Sequence, residues 1–250
     1  MKIIGCPLCG SENQRLVVVI AGYRIVCCQS CQLHFVNPQP TSEEILSFYK
    51  TRQESYLTDY AKKEISKRRG ARREVRRVLR LMKKSNISLL DIGCGCGFFL
   101  KEANLAGIKA RGVDICQAEV EFACKHYQAK AEYANFLDNS YTPGEKFDVV
   151  TLFDVIEHLS NPLAGLVKCR SFLKENGYII VGTPDLAEAW KLKDISRWVE
   201  WKPPEHLIYF SLSTLTNLAE KSGFCYRGSF WTVPWRKRIK AVFQVVNGSG

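Results

Sequence analysis

From residue 88 onward, short apolar runs alternate along the chain with stretches in which apolar positions recur at helical spacing. The runs are rich in β-branched and aromatic residues and therefore predict strands. These predicted strands cover residues 89–92, 110–114, 131–133, 147–153, 178–181, 224–231 and 239–246. Helical stretches fall between the first five of them, so we expect an α/β fold with a doubly wound, seven-stranded and mainly parallel sheet.

The last two predicted strands are joined by a short link that contains Pro234 and the basic residues 236–238. A link of this length suits a hairpin, because a parallel connection needs a crossover of a dozen or more residues. We therefore expect the final strand of the sheet to be antiparallel.

The N-terminal part has a different pattern, and the chain divides into residues 1–40, 41–84 and 85–250. The first part contains short β-rich runs and a proline-containing turn, which are typical of a small module built from hairpins. In the second part, capping residues predict one helix from Thr41 or Ser42 and a longer one from Thr58 or Asp59 to about residue 84. The longer helix has apolar residues at helical spacing, which predict its buried side: Ala71, Val75, Val78 and Met82.

A glycine-rich loop follows the first strand of the third part. Gly93, Gly95 and Gly97 alternate there with cysteines, and glycines let the backbone turn sharply and approach a ligand closely. A dinucleotide-binding loop would need a glycine at the position of Phe98. The spacing therefore favours a cofactor without phosphate groups.

Two carboxyl groups flank this loop. Asp91 lies in the strand before it, and a carboxylate there attracts a cationic group such as an α-ammonium and opposes a phosphate. Asp114 closes the second strand, where it can accept hydrogen bonds from both hydroxyls of a ribose. A nicotinamide or flavin site is the chemical alternative.

Two longer strings follow. Phe-Asp-Val-Val-x-Leu-x-Asp-Val-Ile-Glu-His-Leu occupies residues 147–159, and Trp-Lys-Pro-Pro-Glu-His-Leu occupies residues 201–207. Together with the loop and the N-terminal cysteines, they make the chain resemble class I S-adenosylmethionine-dependent methyltransferases, and more closely a bacterial group with an N-terminal zinc ribbon. The resemblance implies a Rossmann-like domain over residues 85–250 that binds S-adenosylmethionine and transfers its methyl group.

The resemblance also implies which residues bind the cofactor. It places the methionine part against the loop, the ribose and adenine against Asp114 and Ile115, and the sulfonium near Asp154. The family commonly has an acidic residue at the end of the third strand, where this chain has Asn135. The amide oxygen of Asn135 can accept a hydrogen bond from the adenine, or the residue serves as a turn or cap. The complete implied set is Asp91, Gly93, Cys94, Gly95, Gly97, Asp114, Ile115, Asn135, Phe136 and Asp154.

Two histidines are the candidate catalytic groups. Methyl transfer is an in-line displacement, so a base is needed only if the acceptor atom carries a proton. His158 lies beyond the fourth strand, at the sheet edge where ligands bind, and could deprotonate a phenol or an enol. His206 lies in a long tryptophan-rich segment, residues 185–210, which forms either a lid over the acceptor or a structural clamp. Capping or packing is the structural alternative for both histidines.

Four N-terminal cysteines have the spacing of metal ligands. They form two Cys-x2-Cys pairs separated by eighteen residues: Cys6, Cys9, Cys28 and Cys31. This spacing predicts a structural zinc ribbon, in which two turns supply four thiolates in a tetrahedron. An iron–sulfur site is the alternative, and we interpret Cys27 as a bystander.

The net charge of +11 is concentrated in residues 62–84, which hold twelve Lys or Arg against two Glu. Such a surplus could neutralise the phosphates of a nucleic acid, but a solvated basic face on a helix is the commoner case. We therefore expect a small-molecule methyl acceptor. A nucleic acid such as RNA is the alternative acceptor, and a non-catalytic cofactor-binding scaffold is the alternative function.

No apolar run approaches the roughly 20 residues that a membrane span needs. A cysteine cluster with metal-ligand spacing is typical of a reducing compartment. We therefore expect a cytoplasmic protein, and the sequence leaves its oligomeric state open.

Overall fold

The computed structural model describes residues 1–230 and 238–246, without the side chains of residues 42, 46 and 49–63. The first part of the chain contains β1 (Gln14–Ile20), β2 (Tyr23–Cys28), β3 (His34–Val36) and the long helix α1 (Ser42–Met82). The elements that follow are β4 (Ser88–Ile92), α2 (Phe98–Leu105), β5 (Lys109–Asp114), α3 (Gln117–Tyr127), β6 (Ala131–Tyr133), β7 (Phe147–Phe153), α4 (Pro162–Ser171), β8 (Leu173–Pro184), β9 (Ile208–Tyr209), α5 (Leu212–Lys221), β10 (Phe224–Ser229) and β11 (Arg238–Val245).

The main sheet of the described chain has seven strands in the order β10-β11-β8-β7-β4-β5-β6. The strands β8, β7, β4, β5 and β6 are parallel, and β11 pairs antiparallel with both β8 and β10. The predicted α/β sheet and its antiparallel final strand are thus confirmed. The link predicted to be a hairpin, together with Trp231, lies outside the described residues.

Helix α1 is one helix where the sequence predicted two. It begins after Thr41, whose side chain accepts a hydrogen bond from the Glu44 N–H in a capping box, and it ends before Lys83, which has a left-handed backbone. The predicted new start at Thr58 or Asp59 is wrong, because the stretch from residue 42 to 58 contains no Gly or Pro that would end the first helix. No helix in the described ranges combines the length and the apolar character needed to cross a membrane.

Helices cover both faces of the main sheet. On one face, α1, α2 and α3 pack against alternate strand residues, and α1 contributes the predicted Ala71, Val75 and Val78. On the other face, α4 and α5 pack against the intervening residues. Val149 and Val150 of β7 show this alternation, since they belong to opposite faces. Ligands bind such sheets at the carboxyl ends of the parallel strands.

The N-terminal residues form a second sheet in the order β1-β2-β3-β9. Its fourth strand comes from the segment after β8, with Phe35 paired to Ile208 and His34 to Tyr209. Leu8 and Phe35 also join the core on the α4 and α5 side. The small N-terminal module therefore shares both a sheet and a core with the larger part of the chain.

Candidate functional site

The glycine loop joins β4 to α2 and is closely packed. Gly93, Gly95 and Gly97 all have positive φ, which favours glycine. A side chain at Gly93 would collide with Val155, and a Cβ at Gly97 would lie 2.7 Å from the Cβ of Ala123. Backbone conformation and packing therefore both require glycine, and Val155 connects the loop to the segment that carries His158.

Asp91 lies inside the sheet, just before the loop. It is 3% exposed, and its Oδ1 accepts a 2.6 Å hydrogen bond from the Thr151 hydroxyl. Burial raises the pKa of Asp91 to about 7, and the charge of Asp114 adds to the rise. A cationic ligand group at the loop would favour the ionised form of Asp91, so the ammonium contact stays a prediction that the electrostatics support.

Asp114 closes β5 beside the loop. Its Oδ2 accepts a 2.8 Å hydrogen bond from the Gly95 N–H, and its Oδ1 accepts one of 2.8 Å from the Cys116 N–H. Each carboxylate oxygen has a further lone pair, so both can also accept a ribose hydroxyl. Ile115 is 39% exposed and offers an apolar surface at the same edge. The predicted ribose and adenine contacts are therefore compatible with the geometry.

The other predicted cofactor residues are held by local contacts. Cys94 is buried, and its Sγ occupies the space that a side chain at Gly112 would need. Phe136 is buried in the main core. Asn135 is exposed, and its Oδ1 accepts a 3.1 Å hydrogen bond from the Leu137 N–H. Asn135 thus has the geometry of a turn residue, and an adenine contact would use its second lone pair.

Asp154 directly follows β7 and is paired with a basic residue. It has a φ of 60°, and its carboxylate binds the guanidinium of Arg238, the first residue of β11. Arg238 also lies 3.8 Å from a carboxylate oxygen of Glu157 and 3.8 Å from one of Glu200. The sequence placed Arg238 only in a basic link, so its contact with Asp154 was not predicted. Its charge competes with a sulfonium for Asp154.

The fold brings His158 and His206 together. Their ring centroids are 4.9 Å apart, with the planes at 83°. The Nδ1 of His158 lies 2.8 Å from the Glu205 carbonyl oxygen, and that of His206 lies 2.9 Å from the Glu200 carbonyl oxygen. Burial lowers the pKa of His158, and it lowers the pKa of His206 to about 2. Both imidazoles are therefore neutral at pH 7, and His206 is a very weak base.

Two buried acidic residues, Glu157 next to the histidines and Glu119 next to the glycine loop, were not predicted to belong to the site. Glu157 is 1% exposed, and burial, with the charge of Asp154, raises its pKa to about 8. Glu119 is 7% exposed in α3, and burial, with the charge of Asp114, raises its pKa to about 8. The only sequence signals were the position of Glu157 next to His158 and that of Glu119 shortly after Asp114.

The tryptophan-rich segment has the contacts of a clamp. Trp198 and Trp201 are 7% and 6% exposed, and they pack with Tyr209 against apolar residues of β2 and β3. Trp190, in contrast, is 51% exposed. Because the two buried tryptophans fill the space between the segment and the small sheet, they are not available to cover an acceptor.

The four predicted metal ligands meet in one cluster. The sulfur atoms of Cys6 and Cys31 are 3.4 Å apart, those of Cys9 and Cys28 are 3.5 Å apart, and all four lie within 4.8 Å of one another. Sulfurs around a tetrahedral zinc ion are about 3.8 Å apart. Small side-chain movements would therefore let the cluster hold such an ion. Cys27 is not part of it.

The fold itself neutralises part of the charge of the basic segment, residues 62–84. Arg68 and Arg72 each donate a 2.7 Å hydrogen bond to the buried Glu102, and Lys84 donates one of 2.7 Å to the buried Asp148. Other arginines lie three or four residues apart on one exposed side of the helix: Arg69, Arg73, Arg76 and Arg80. The exposed surface therefore offers an anionic partner less positive charge than the surplus of basic residues in the sequence suggests.

Comparisons with known proteins agree with this fold. A family model described as a methyltransferase domain matches residues 64–227. The ubiquinone biosynthesis O-methyltransferase of Bradyrhizobium sp. (strain ORS 278) is 28% identical over 161 residues, which cover 57% of this chain and 63% of that protein. The protein of the same name from Cereibacter sphaeroides (strain ATCC 17029 / ATH 2.4.9) is 35% identical over 101 residues, covering 39% of this chain and 41% of that protein. The matches thus span less than two thirds of these relatives.

Solved structures show the same architecture. The magnesium protoporphyrin IX methyltransferase from Synechocystis PCC 6803 with bound SAH has a TM-score of 0.64 at 15% identity, covering 82% of this chain and 100% of that one. The Burkholderia thailandensis 1,6-didemethyltoxoflavin-N1-methyltransferase has a TM-score of 0.61 at 12% identity, covering 93% and 100%. Since the family model covers well over half of it, the chain belongs to the methyltransferase-domain family, with the fold of class I S-adenosylmethionine-dependent methyltransferases.

Proposed function

We propose that this chain is an S-adenosylmethionine-dependent methyltransferase that acts on a hydroxyl group of a small molecule. The observation that carries the proposal is the tight glycine loop with the Asp114 carboxylate held against its Gly95 N–H. The ammonium group of the cofactor would lie near the buried Asp91 below the loop, and its adenine would lie near the half-exposed Ile115. The residues present therefore fit the cofactor, which would supply an electrophilic methyl group.

The acceptor would lie beyond β7, near Asp154 and the two histidines. A neutral imidazole can accept a hydrogen bond from a hydroxyl group and orient its oxygen toward the methyl carbon. His158 is the better candidate for accepting the proton, because the pKa of His206 is lowered further. The relatives named ubiquinone biosynthesis O-methyltransferase support oxygen as the acceptor atom.

We also propose that the four-cysteine cluster holds a structural Zn2+. Four protein ligands complete a tetrahedral site, so such an ion stabilises the fold and takes no part in the reaction. The knuckles that carry the cysteines also bury Leu8 and Leu33 in the main core, so metal binding would add to a folding free energy that this shared core partly supplies. A thiolate site also supports the cytoplasmic location expected from the sequence.

The function is tested by measuring S-adenosylhomocysteine release with a panel of phenols, catechols and matched aromatic amines. The proposal expects turnover with hydroxyl acceptors and little with amines. Turnover with amines alone would refute the choice of acceptor atom. Cofactor binding without turnover on any acceptor would favour the scaffold function.

A nucleic-acid acceptor is the second candidate, and the exposed arginine row on α1 favours it. Binding through this row would be electrostatic and would weaken steeply with salt. A salt-sensitive mobility shift of RNA, lost when Arg73 and Arg76 are both replaced by glutamate, would support this candidate. An unshifted RNA at low salt would exclude it.

A further inference from the structure

A second cluster with metal-ligand chemistry lies apart from the cysteines. A carboxylate oxygen of Glu157 and one ring nitrogen each of His158 and His206 all lie within 4.8 Å of one another. Glu157 and His158 are neighbours in the short 3-10 helix Ile156–His158, whereas His206 lies two residues before β9 of the small sheet. Two distant parts of the chain therefore converge on one point.

Backbone contacts orient both imidazoles. The carbonyl oxygens of Glu205 and Glu200 can only accept hydrogen bonds, so the Nδ1 atoms that contact them at 2.8 and 2.9 Å carry the protons. Each Nε2 then carries the lone pair that a metal ion binds. A backbone carbonyl on the opposite ring nitrogen is the usual outer contact of a metal-bound histidine. Both rings are thus held in the tautomer that suits a metal ligand.

The carboxyl group of Glu157 lacks the contacts that buried carboxylates usually have. No hydrogen bond of normal geometry reaches either oxygen within the described ranges, although the buried Thr183 hydroxyl lies close enough to favour the ionised form. Arg238 is the basic group beside Glu157, with its guanidinium 3.8 Å from Oε1, and it is also bound to Asp154. Burying the ionised form of a carboxyl group with so few contacts is costly, and a coordinated cation would offset that cost.

We propose that Glu157, His158 and His206 form a three-ligand site for a divalent transition-metal ion such as Zn2+. Two imidazoles and one carboxylate are a ligand set typical of zinc and iron(II) sites in which other coordination positions are available to substrate. Ligand atoms on a tetrahedral ion of this size are about 3.4 Å apart. Since the ligand atoms lie within 4.8 Å of one another, their separations would close by at most about 1.4 Å around the ion.

The metal site would take part in the proposed methyl transfer to a hydroxyl group, and its chemical role rests on that proposed function. A hydroxyl bound to the ion would lose its proton to solvent at a lower pH, because the metal stabilises the resulting oxyanion. The oxygen then forms a bond to the methyl carbon while the carbon–sulfur bond breaks, and the electron pair of that bond stays on sulfur. With the ion bound, the Nε2 of His158 would hold the metal and not the proton, so the metal would replace His158 as the group that activates the hydroxyl.

The test is a Co2+ titration of the full-length, zinc-loaded protein, with the bound metals counted by mass spectrometry. The wild type should bind one Co2+ per chain with weak visible bands and no thiolate charge-transfer band, since the ligands are nitrogen and oxygen. Glu157→Gln and His206→Ala should each lose this ion and keep the zinc at the cysteines, which shows that the variants fold. Glu119→Gln, a change at another buried carboxyl group, is the matched control and should retain the Co2+.

Absence of the additional ion in the wild type, or undiminished binding by Glu157→Gln, would overturn the metal site. The titration needs neither cofactor nor acceptor, so it is decided independently of the proposed activity. Turnover of a hydroxyl acceptor by a protein that binds no additional ion would leave the proposed function intact and refute only the metal.

Discussion

Replacing Asp114 by asparagine changes one oxygen into an amino group at the point where the ribose is proposed to bind. In the wild type, both oxygens accept backbone N–H groups at 2.8 Å, one from Gly95 and one from Cys116. The new amino group must face one of these donors, so one backbone N–H loses its acceptor. The side chain also loses the charge that strengthens its hydrogen bonds to ribose hydroxyls.

The expected loss of affinity follows from these contacts. A hydrogen bond to a charged group contributes about 1.5–3 kcal/mol, and leaving a donor unsatisfied costs about 1–3 kcal/mol. The unsatisfied N–H also destabilises the unliganded protein, so only part of its cost weakens binding. We therefore expect a total loss of about 3 kcal/mol of binding free energy. Since about 1.4 kcal/mol corresponds to a factor of ten, the Kd for S-adenosylhomocysteine should rise about 150-fold.

Isothermal titration calorimetry with S-adenosylhomocysteine measures this directly. Glu121→Gln is the control, because it makes the same chemical change on an exposed residue of α3 that bonds only Gln117 among the described contacts. We expect Glu121→Gln to bind like the wild type. If Asp114→Asn, folded by circular dichroism, binds within about threefold of the wild type, the proposed ribose contact is wrong.

Three further results are expected. The unfolding free energy of the cofactor-free protein should fall as the pH rises from about 7 to about 8, since Asp91 and Glu119 have folded pKa values of about 7 and about 8 and unfolded values near 4, so the folded state binds more protons in that window. Below about pH 6.5 the buried histidines oppose this trend, because their pKa values are lowered in the folded state. Denaturant titrations that show a rising free energy between about pH 7 and about pH 8 would refute the raised pKa values of the two carboxyl groups. Cys9→Ser should abolish zinc binding and lower the Tm, whereas Cys124→Ser, an exposed cysteine outside the cluster, should change neither in metal analysis and thermal melts. Trp201→Ala should cost about 3–5 kcal/mol in urea unfolding and Trp190→Ala about 1 kcal/mol or less, and equal costs would contradict the clamp.

The glycine loop and the strands around it could be predicted because their signals are local. Positive φ at Gly93, Gly95 and Gly97 depends on residue type, and strand runs depend on neighbouring side chains. The cysteine pairs are similar, since ligand spacing within each turn is short. Their meeting in one cluster needed only the pairing of β1 with β2 and of β2 with β3, which neighbouring segments make readily.

Contacts between distant segments could not be predicted. The pairing of β3 with β9 turns the tryptophan segment into a clamp, and nothing in either segment alone marks its partner. Arg238 reaches Asp154 only because β11 inserts next to β8. The error in α1 had a different origin, because cap residues such as Asp59 are also tolerated inside a helix that nothing interrupts.

By itself, the sequence determined the sheet, the loop geometry and the four clustered cysteines, because these follow from residue type and short spacing. Only the tertiary structure decided which groups are removed from water. Burial makes both histidines weak bases and raises the pKa of Asp91, and the fold places the buried Glu157 beside His158 and His206. Desolvation depends on everything packed around a group, and therefore on contacts that no local pattern contains.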